Sequence, residues 1–324
     1  MHIGKVSEIA YKRSVKKKLS SDLEGVTPGV DAAQLSLEDI TVVMSSNCIL
    51  KWFQGCEEYY LQKSINQLFE KGGIPLYVQL LIHIPVDYEE KKLGKIIKNM
   101  NAATDKKGLT ICFCRAYVGE GKSPVVHITV IGKKDENIYK HMLDRRMVRP
   151  GMQVVMAGSI AIGGTAVLSQ KYSEKLLEKF NPGFVNRCID LKNMTDIEKI
   201  VKTAAKNGTI SIHAVSDGGA FGAIWELASS AGIGICVDIK KIPVLQETIE
   251  VAEIFDYNPY LMDGTGAALF VCDDGERMVS ALKENGFCAN IIGQLTGGND
   301  RVAVNGDEKR YLEPPRGDEI YRFL

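Results

Sequence analysis

Residues 149–165 read RPGMQVVMAGSIAIGGT, and their order decides the fold class. Arg149-Pro150-Gly151 is a turn tripeptide, because Pro presets φ and Gly accepts positive φ. Gln153–Ala157 is a short apolar run of strand length. Gly158-Ser159-Ile160-Ala161-Ile162-Gly163-Gly164-Thr165 then carries glycines into a segment of helical spacing. Strand, glycine loop and helix in succession are the unit of an α/β protein. A charged segment precedes the turn, so Arg149-Pro150-Gly151 also marks a domain boundary. The chain has 324 residues, and at roughly 100–200 residues per domain two domains follow. The expected division is 1–149 and 150–324.

The same alternation extends outward in both directions. Upstream, Ser7–Leu19 reads as a basic helix, Gly25–Ala33 as a loop and Ile40–Met44 as a strand. Tyr59–Lys71 reads as a helix that stops at Gly72-Gly73, Pro75–Ile84 as a strand buried on both faces, and Tyr88–Thr104 as a helix. Leu109–Tyr117 and Val125–Ile131 are further strands. Downstream, helices are expected near Asp196–Ala205, Gly222–Ala231, Leu245–Ile254 and Gly275–Asn285. Strands are expected at Ile210–Ala214, Ile235–Ile239, Ala268–Cys272, Asn290–Leu295 and Arg301–Val304.

Composition narrows the function. Lys+Arg and Asp+Glu are both 40, which argues against a dedicated nucleic-acid binder. The local run Lys12-Arg13 and Lys16-Lys17-Lys18 is either a solvated helix face or a contact for an anionic partner. No stretch approaches the roughly 20 apolar residues of a membrane span, and no apolar leader is present, so a cytoplasmic location is expected. The eight cysteines are scattered without a C-x-x-C pair. Cys112 and Cys114 share a strand face by spacing. Reduced thiols and no bound metal are the expectation.

Three loops could carry chemistry. Gly163-Gly164-Thr165 opens a helix, where free backbone N–H groups and the helix dipole hold phosphate; the alternative is a tight turn that needs glycine. Ser216-Asp217-Gly218-Gly219 leads into the next long helix, as a cap or as an anion site. Gly29-Val30-Asp31 offers one carboxylate, as a turn residue or as part of a metal site. His213, at a strand end, is either a structural hydrogen-bonding group or a general base. The chain shows no nucleophile elbow, H-E-x-x-H, Rossmann fingerprint or Walker A loop.

In this order the loops resemble the PurM/HypE superfamily, in its AIR synthase-related, HypE-like branch. The residues that carry the resemblance are the opening Met1-His2-Ile3-Gly4, Gly29-Val30-Asp31-Ala32-Ala33, Gly73-Ile74-Pro75, Arg149-Pro150-Gly151, Gly163-Gly164-Thr165, Val215-Ser216-Asp217-Gly218-Gly219, Gly264-Thr265-Gly266 and Gly317-Asp318. The resemblance implies a PurM-like fold: an N-terminal mixed-sheet domain that dimerises into a barrel, and a C-terminal α/β domain. It implies ATP-dependent phosphorylation of a substrate oxygen, with ATP and magnesium held near the glycine segment and a cluster of aspartates.

Mapped onto this chain, the cofactor positions are Gly29, Asp31, Asn47, Asn66, Gln67 and Arg115. Gly163, Gly164, Thr165 and Ser216–Gly219 make the anion or substrate site, and Asp31 and His213 are the catalytic candidates. Several of these depart from the family's acidic pattern. Ser45-Ser46-Asn47, Asn66-Gln67, Cys114-Arg115-Ala116 and Ala214 stand where the resemblance expects carboxylates or a hydroxyl. Magnesium needs carboxylate or phosphate oxygen, and Arg115 would add like charge beside it. The chain ends Tyr321-Arg322-Phe323-Leu324, without the terminal thiol of the HypE carrier reaction. The expected function is therefore a homodimer that binds a nucleotide or phosphorylated small molecule, with weak or no magnesium–ATP catalysis. An active phosphoryl-transfer or ligase-type enzyme with altered metal ligation, or a scaffold in a maturation complex, are the alternatives.

Overall fold

The computed structural model describes residues 5–21, 23–53, 55–136, 147–314 and 317–324. The chain divides into two compact units. The smaller comprises Asp31–Asp135 and Leu324; the larger comprises Met1–Val30 and Glu136–Phe323. By compactness the chain divides at 135/136, and the first thirty residues go with the larger unit.

The smaller unit is a five-stranded mixed sheet in the order β1-β2-β5-β3-β4. Its strands are β1 (Ala32–Leu37), β2 (Ile40–Ile49), β3 (Gly73–Pro85), β4 (Thr110–Gly119) and β5 (Val125–Lys134). Only β3 and β4 are parallel, and the helix α3 (Glu90–Lys106) makes the crossover between them. Helix α2 (Glu57–Phe69) packs on β2, β3 and β5. The face under α2 is built from Val43, Val78, Leu80, Ile82, Val126, Ile128 and Val130, none of which is exposed at all. β3 is not buried on both faces, as its apolar composition suggests. Val78, Leu80 and Ile82 alternate with the half-buried Gln79, Leu81 and His83 and with Tyr77 at 47% exposure, which is the period of a strand with one packed face. The register with β3 steps from Ile111 to Phe113, so Cys112 sits in a bulge. Simple alternation therefore does not relate Cys112 to Cys114.

The larger unit holds a seven-stranded sheet in the order β12-β11-β8-β10-β6-β9-β7. The strands are β6 (Gln153–Ala157), β7 (Thr209–Ala214), β8 (Gly234–Asp238), β9 (Ala268–Cys272), β10 (Ala289–Thr296), β11 (Arg301–Asn305) and β12 (Glu308–Tyr311). The inner strand β9 and the edge strand β7 are both buried at every residue. One face packs on helix α8 (Gly219–Ala231), where Phe221, Ile224 and Leu227 meet Val154, Met156, Ile235, Val237, Leu269 and Val271. Helices α7 (Glu198–Ala205) and α10 (Gly275–Glu284) pack on each other, α7 against β7 and α10 against β6 and β10. Helices α4 (Ile162–Lys171), α5 (Ser173–Leu177), α6 (Pro182–Asp190) and α9 (Gln246–Phe255) complete the unit. Here α1 (Glu8–Ser14) is shorter than the basic helix expected from Ser7 to Leu19; a separate 3-10 turn follows at Lys16–Lys18. Glu8 pins it to α8, accepting from Trp225 Nε1 at 2.7 Å and from Ser229 Oγ at 2.6 Å.

Candidate functional site

In the smaller unit the sheet register sorts the predicted cofactor residues. Asn47 pairs with Ile128, which is fully buried under α2, so Asn47 points to that face. There its Nδ2 donates to Ser64 Oγ at 3.0 Å and to Gln67 Oε1 at 2.6 Å. Ser64 and Gln67 are three apart on α2 and so share a face of the helix. Gln67 Nε2 in turn donates to Asp31 Oδ2 at 3.1 Å, at the entry to β1. Asn47, Gln67 and Asp31 are therefore one hydrogen-bonded chain. Asn66 Oδ1 accepts from Gln62 Nε2 at 2.8 Å. Arg115 lies on the other face. It pairs with Leu81, and Leu81 with His127, on the outer face of the sheet. Its guanidinium lies 4.8 Å from the Phe113 ring centre. Arg115 thus places no positive charge among the amides, and the like-charge argument drawn from the sequence does not hold within this unit. Asn47 and Gln67 bring neutral amides, and the carboxylates are Asp31 and Glu70, which each bring one oxygen within 4.8 Å of the other. Amides hydrogen-bond a ligand, and carboxylate oxygen is the donor type that a hard cation takes.

The first glycine loop, in the larger unit, is a closed turn. The Gly164 N–H donates to Asp263 O at 3.1 Å and the Thr165 N–H to Ala161 O at 2.9 Å. Thr165 is fully buried, with Oγ1 3.1 Å from Tyr257 Oη and 3.3 Å from Thr248 Oγ1. Burial drives the Tyr257 phenol well above its usual pKa, so it remains a neutral partner. A Cβ on Gly164 would lie 2.4 Å from Met262 Cγ. Gly163, Gly164 and Thr165 therefore do not form an open phosphate cradle. The Gly164 and Thr165 N–H groups are consumed inside the fold.

The second loop is sealed differently. The Gly218 N–H donates to the carboxylate of Asp318, at 2.7 Å from Oδ2. Asp318 Oδ1 also accepts from Asp263 N at 3.1 Å and from Ile320 N at 2.8 Å. An anion does sit at the start of α8, where unpaired N–H groups favour it, but the protein supplies it. Gly219 has φ +63, and a Cβ there would stand 2.6 Å from Met262 O and 2.7 Å from Tyr260 O. Ser216 accepts at its carbonyl from Gly219 N at 3.0 Å. Asp217, Asp263 and Asp318 each bring one carboxylate oxygen within 4.8 Å of the others. Such oxygens are the donor type that a hard cation takes, although Asp263 and Asp318 already accept backbone N–H groups.

His213 is fully buried on β7, with Nε2 3.1 Å from Glu226 Oε2 on α8. The other oxygen of Glu226 takes Lys5 Nζ at 3.3 Å. Gly29, expected beside a cofactor, packs on the same helix. Its φ is +76, and a Cβ would lie 2.7 Å from Glu226 O. Sequence reasoning passed over Glu226 and gave Asp263 and Asp318 no role. The signals were a lone acid on the apolar face of a helix and Asp residues beside Gly264 and Gly317.

Comparison with known proteins fits this architecture. The family described as AIR synthase related protein, C-terminal domain, matches residues 149–305. The chain belongs to the PurM/HypE-like superfamily. Within it, the chain is 25% identical over 296 residues to the carbamoyl dehydratase HypE of Azotobacter vinelandii, covering 87% of this chain and 81% of the relative. It is 26% identical over 266 residues to the thiamine-monophosphate kinase of Pyrococcus horikoshii, covering 79% and 76%. A solved structure of a ThiL complexed with AMPPCP and TMP superposes with a TM-score of 0.71 at 18% identity, over 96% of this chain and 98% of the other. The PurM-like fold is thus established. Among the described residues no helix is long and apolar enough to cross a membrane.

Proposed function

We propose that this superfamily member is a nucleotide-binding homodimer in which magnesium-dependent ATP turnover is weak or absent. The observation that carries the reading is the chain Asn47–Gln67–Asp31. The resemblance expects acidic side chains at two of these three positions, and amides stand there, bonded to one another. A divalent cation gains most of its binding from anionic oxygen. Asp31, which accepts from Gln67, and the neighbouring Glu70 are fewer acids than the cluster of aspartates that the resemblance implies. The same amides remain competent to hydrogen-bond a phosphate or a base. The relative solved with AMPPCP and TMP supports a nucleotide as the ligand class. The outer face of the smaller unit's sheet supports the homodimer: Tyr77, Phe113 and Tyr117 are 47%, 41% and 58% exposed there. That is more aromatic surface than a lone sheet face ordinarily leaves in water.

Calorimetric titration of ATP with and without magnesium tests the reading. ATP affinity that changes less than about threefold between the two, with hydrolysis at background, is the expected result. Robust magnesium-dependent turnover that disappears in Asp31→Ala would overturn it in favour of an active phosphotransferase.

A further inference from the structure

The outer face of the smaller unit's sheet carries a pair that none of the chemistry above uses. Cys48 on β2 and His127 on β5 are direct cross-strand partners. Cys48 Sγ lies 3.6 Å from His127 Nε2, in an exposed setting. A tetrahedral zinc ion holds thiolate at about 2.3 Å and imidazole at about 2.0–2.1 Å, so its sulfur and nitrogen ligands stand about 3.6 Å apart. The two side chains are already at that chord without any movement of the strands. Two of the buried cysteines differ. Burial pushes the Cys188 thiol up to about 11 and Cys272 up to about 12, so both stay protonated. Desolvation raises the Cys48 thiol as well, but Cys48 is exposed and has an imidazole at its sulfur. Arg115 is in the same cross-strand row, two strands further on from His127. At about 4.8 Å per strand its charge is near a Debye length away and is largely screened.

We propose that Cys48 and His127 are one half of a site for a soft divalent cation of the zinc class, completed by the same pair from a second copy of the chain. Two ligands leave two tetrahedral positions open. A two-fold axis through the exposed face supplies two more of the same kind, giving a Cys2His2 set. This inference rests on the homodimer reading above, since the pair and the exposed aromatic residues share one face. Binding converts the Cys48 thiol to a metal-bound thiolate and releases its proton to water; the imidazole binds neutral through Nε2. No electron transfer is involved.

Metal-stripped full-length protein titrated with cobalt(II), then displaced with zinc, tests the site. The expected result is a thiolate-to-cobalt absorption that saturates at one ion per two chains, with affinity rising from about pH 6 to about pH 8 as the ligand protons leave. Cys48→Ser and His127→Ala, both exposed and compatible with the fold by circular dichroism, should each weaken cobalt binding by at least about tenfold. No such absorption, absorption that survives in Cys48→Ser, or one ion per chain would overturn the inference. A plain thiol–imidazole hydrogen bond gives the first of these outcomes. Light scattering on the metal-free protein reads the dimer separately. A metal-free dimer without cobalt absorption sinks the metal site and leaves the dimer standing; a monomer at every metal level sinks both.

Discussion

Helices α4 and α8 both begin on paired glycines, and both look like phosphate cradles in the sequence. The structure fills them in opposite ways. At α4 the donors go to carbonyls of Asp263 and Ala161, and the surroundings are Met262, Thr248 and Tyr257. None of those groups ionises near neutral pH. At α8 the donor of Gly218 goes to a carboxylate from far along the chain. The flank of the same helix takes a second carboxylate, Glu8. The lesson is that a glycine-opened helix start says that donors exist, and only the tertiary partner says whether negative charge belongs there. One of these helices is mechanically locked; the other is electrostatically latched.

The comparison breaks first at glycine. Gly219→Ala forces an L-residue into φ +63 and drives Cβ against two backbone carbonyls that cannot move aside. The left-handed strain and the overlap together should cost about 2–5 kcal/mol, read as the shift in urea midpoint. An unchanged midpoint would mean that the α8 entry is looser than the structure shows. Asp318→Ala removes the latch itself. It leaves the N–H groups of Gly218, Asp263 and Ile320 without their acceptor, a loss of roughly 2–3 kcal/mol. Added phosphate should then raise the melting temperature of Asp318→Ala and leave the parent unmoved, because the vacated position suits an anion. Equal response of the two proteins would show that the helix start has no appetite for charge.

Gly164→Ala is milder. The new Cβ meets Met262 Cγ and Sδ at 2.4 and 2.5 Å, with the Asp263 carbonyl oxygen next at 3.3 Å, so about 1–2 kcal/mol is expected, with no dependence on phosphate. A phosphate-dependent change in this variant would reopen the first loop as a ligand site. The smallest effect belongs to Glu8. Burial raises its carboxyl, but hydrogen bonds from Lys12, Ser229 and Trp225 together outweigh this and hold it below 4.5. With the folded value depressed, the stabilisation is present above the unfolded value and is lost as pH falls through the folded one. Glu8→Gln should therefore cost about 0.5–1 kcal/mol at pH 7 and progressively less below about pH 4.5. Acid titration of both proteins by circular dichroism checks the convergence.

Much of this fold was legible in the chain. The turn Arg149-Pro150-Gly151 and the strand Gln153–Ala157 fall where the pattern puts them, and Ala268–Cys272 matches residue for residue. Strong apolar runs flanked by glycine leave few alternatives. β1 was not legible: Ala33 to Leu37 alternates, but the run is short, lacks β-branched and aromatic residues, and is mostly half-buried or exposed. The helix Pro182–Asp190 was passed over although Asn181 caps it and Pro182 fills its first turn. The site was only half readable. Asn47, Gln67 and Asp31 emerged as one group, whereas Arg115 fell away, because the face on which a strand's side chain lies depends on register rather than on position in a motif. The partners of the two glycine loops were out of reach for another reason: Asp318 lies 100 residues from Gly218. No local pattern encodes so distant a pairing.

The division of the chain has a consequence for synthesis. Residues 31–135 form one continuous stretch, interrupting a larger unit that begins before it and resumes after it. On a ribosome the interior stretch is complete while the larger unit is still missing most of its sheet. The opening segment, with Lys5 and Glu8, finds its counterparts only when Glu226, Trp225 and Ser229 have emerged. Domains fold as units during elongation at roughly 5–20 residues per second. The first thirty residues therefore wait on the order of ten seconds, tethered to an already folded neighbour, before they can dock. A nascent chain stalled near residue 180 should protect the interior stretch from protease and leave its N-terminal leader open to cleavage.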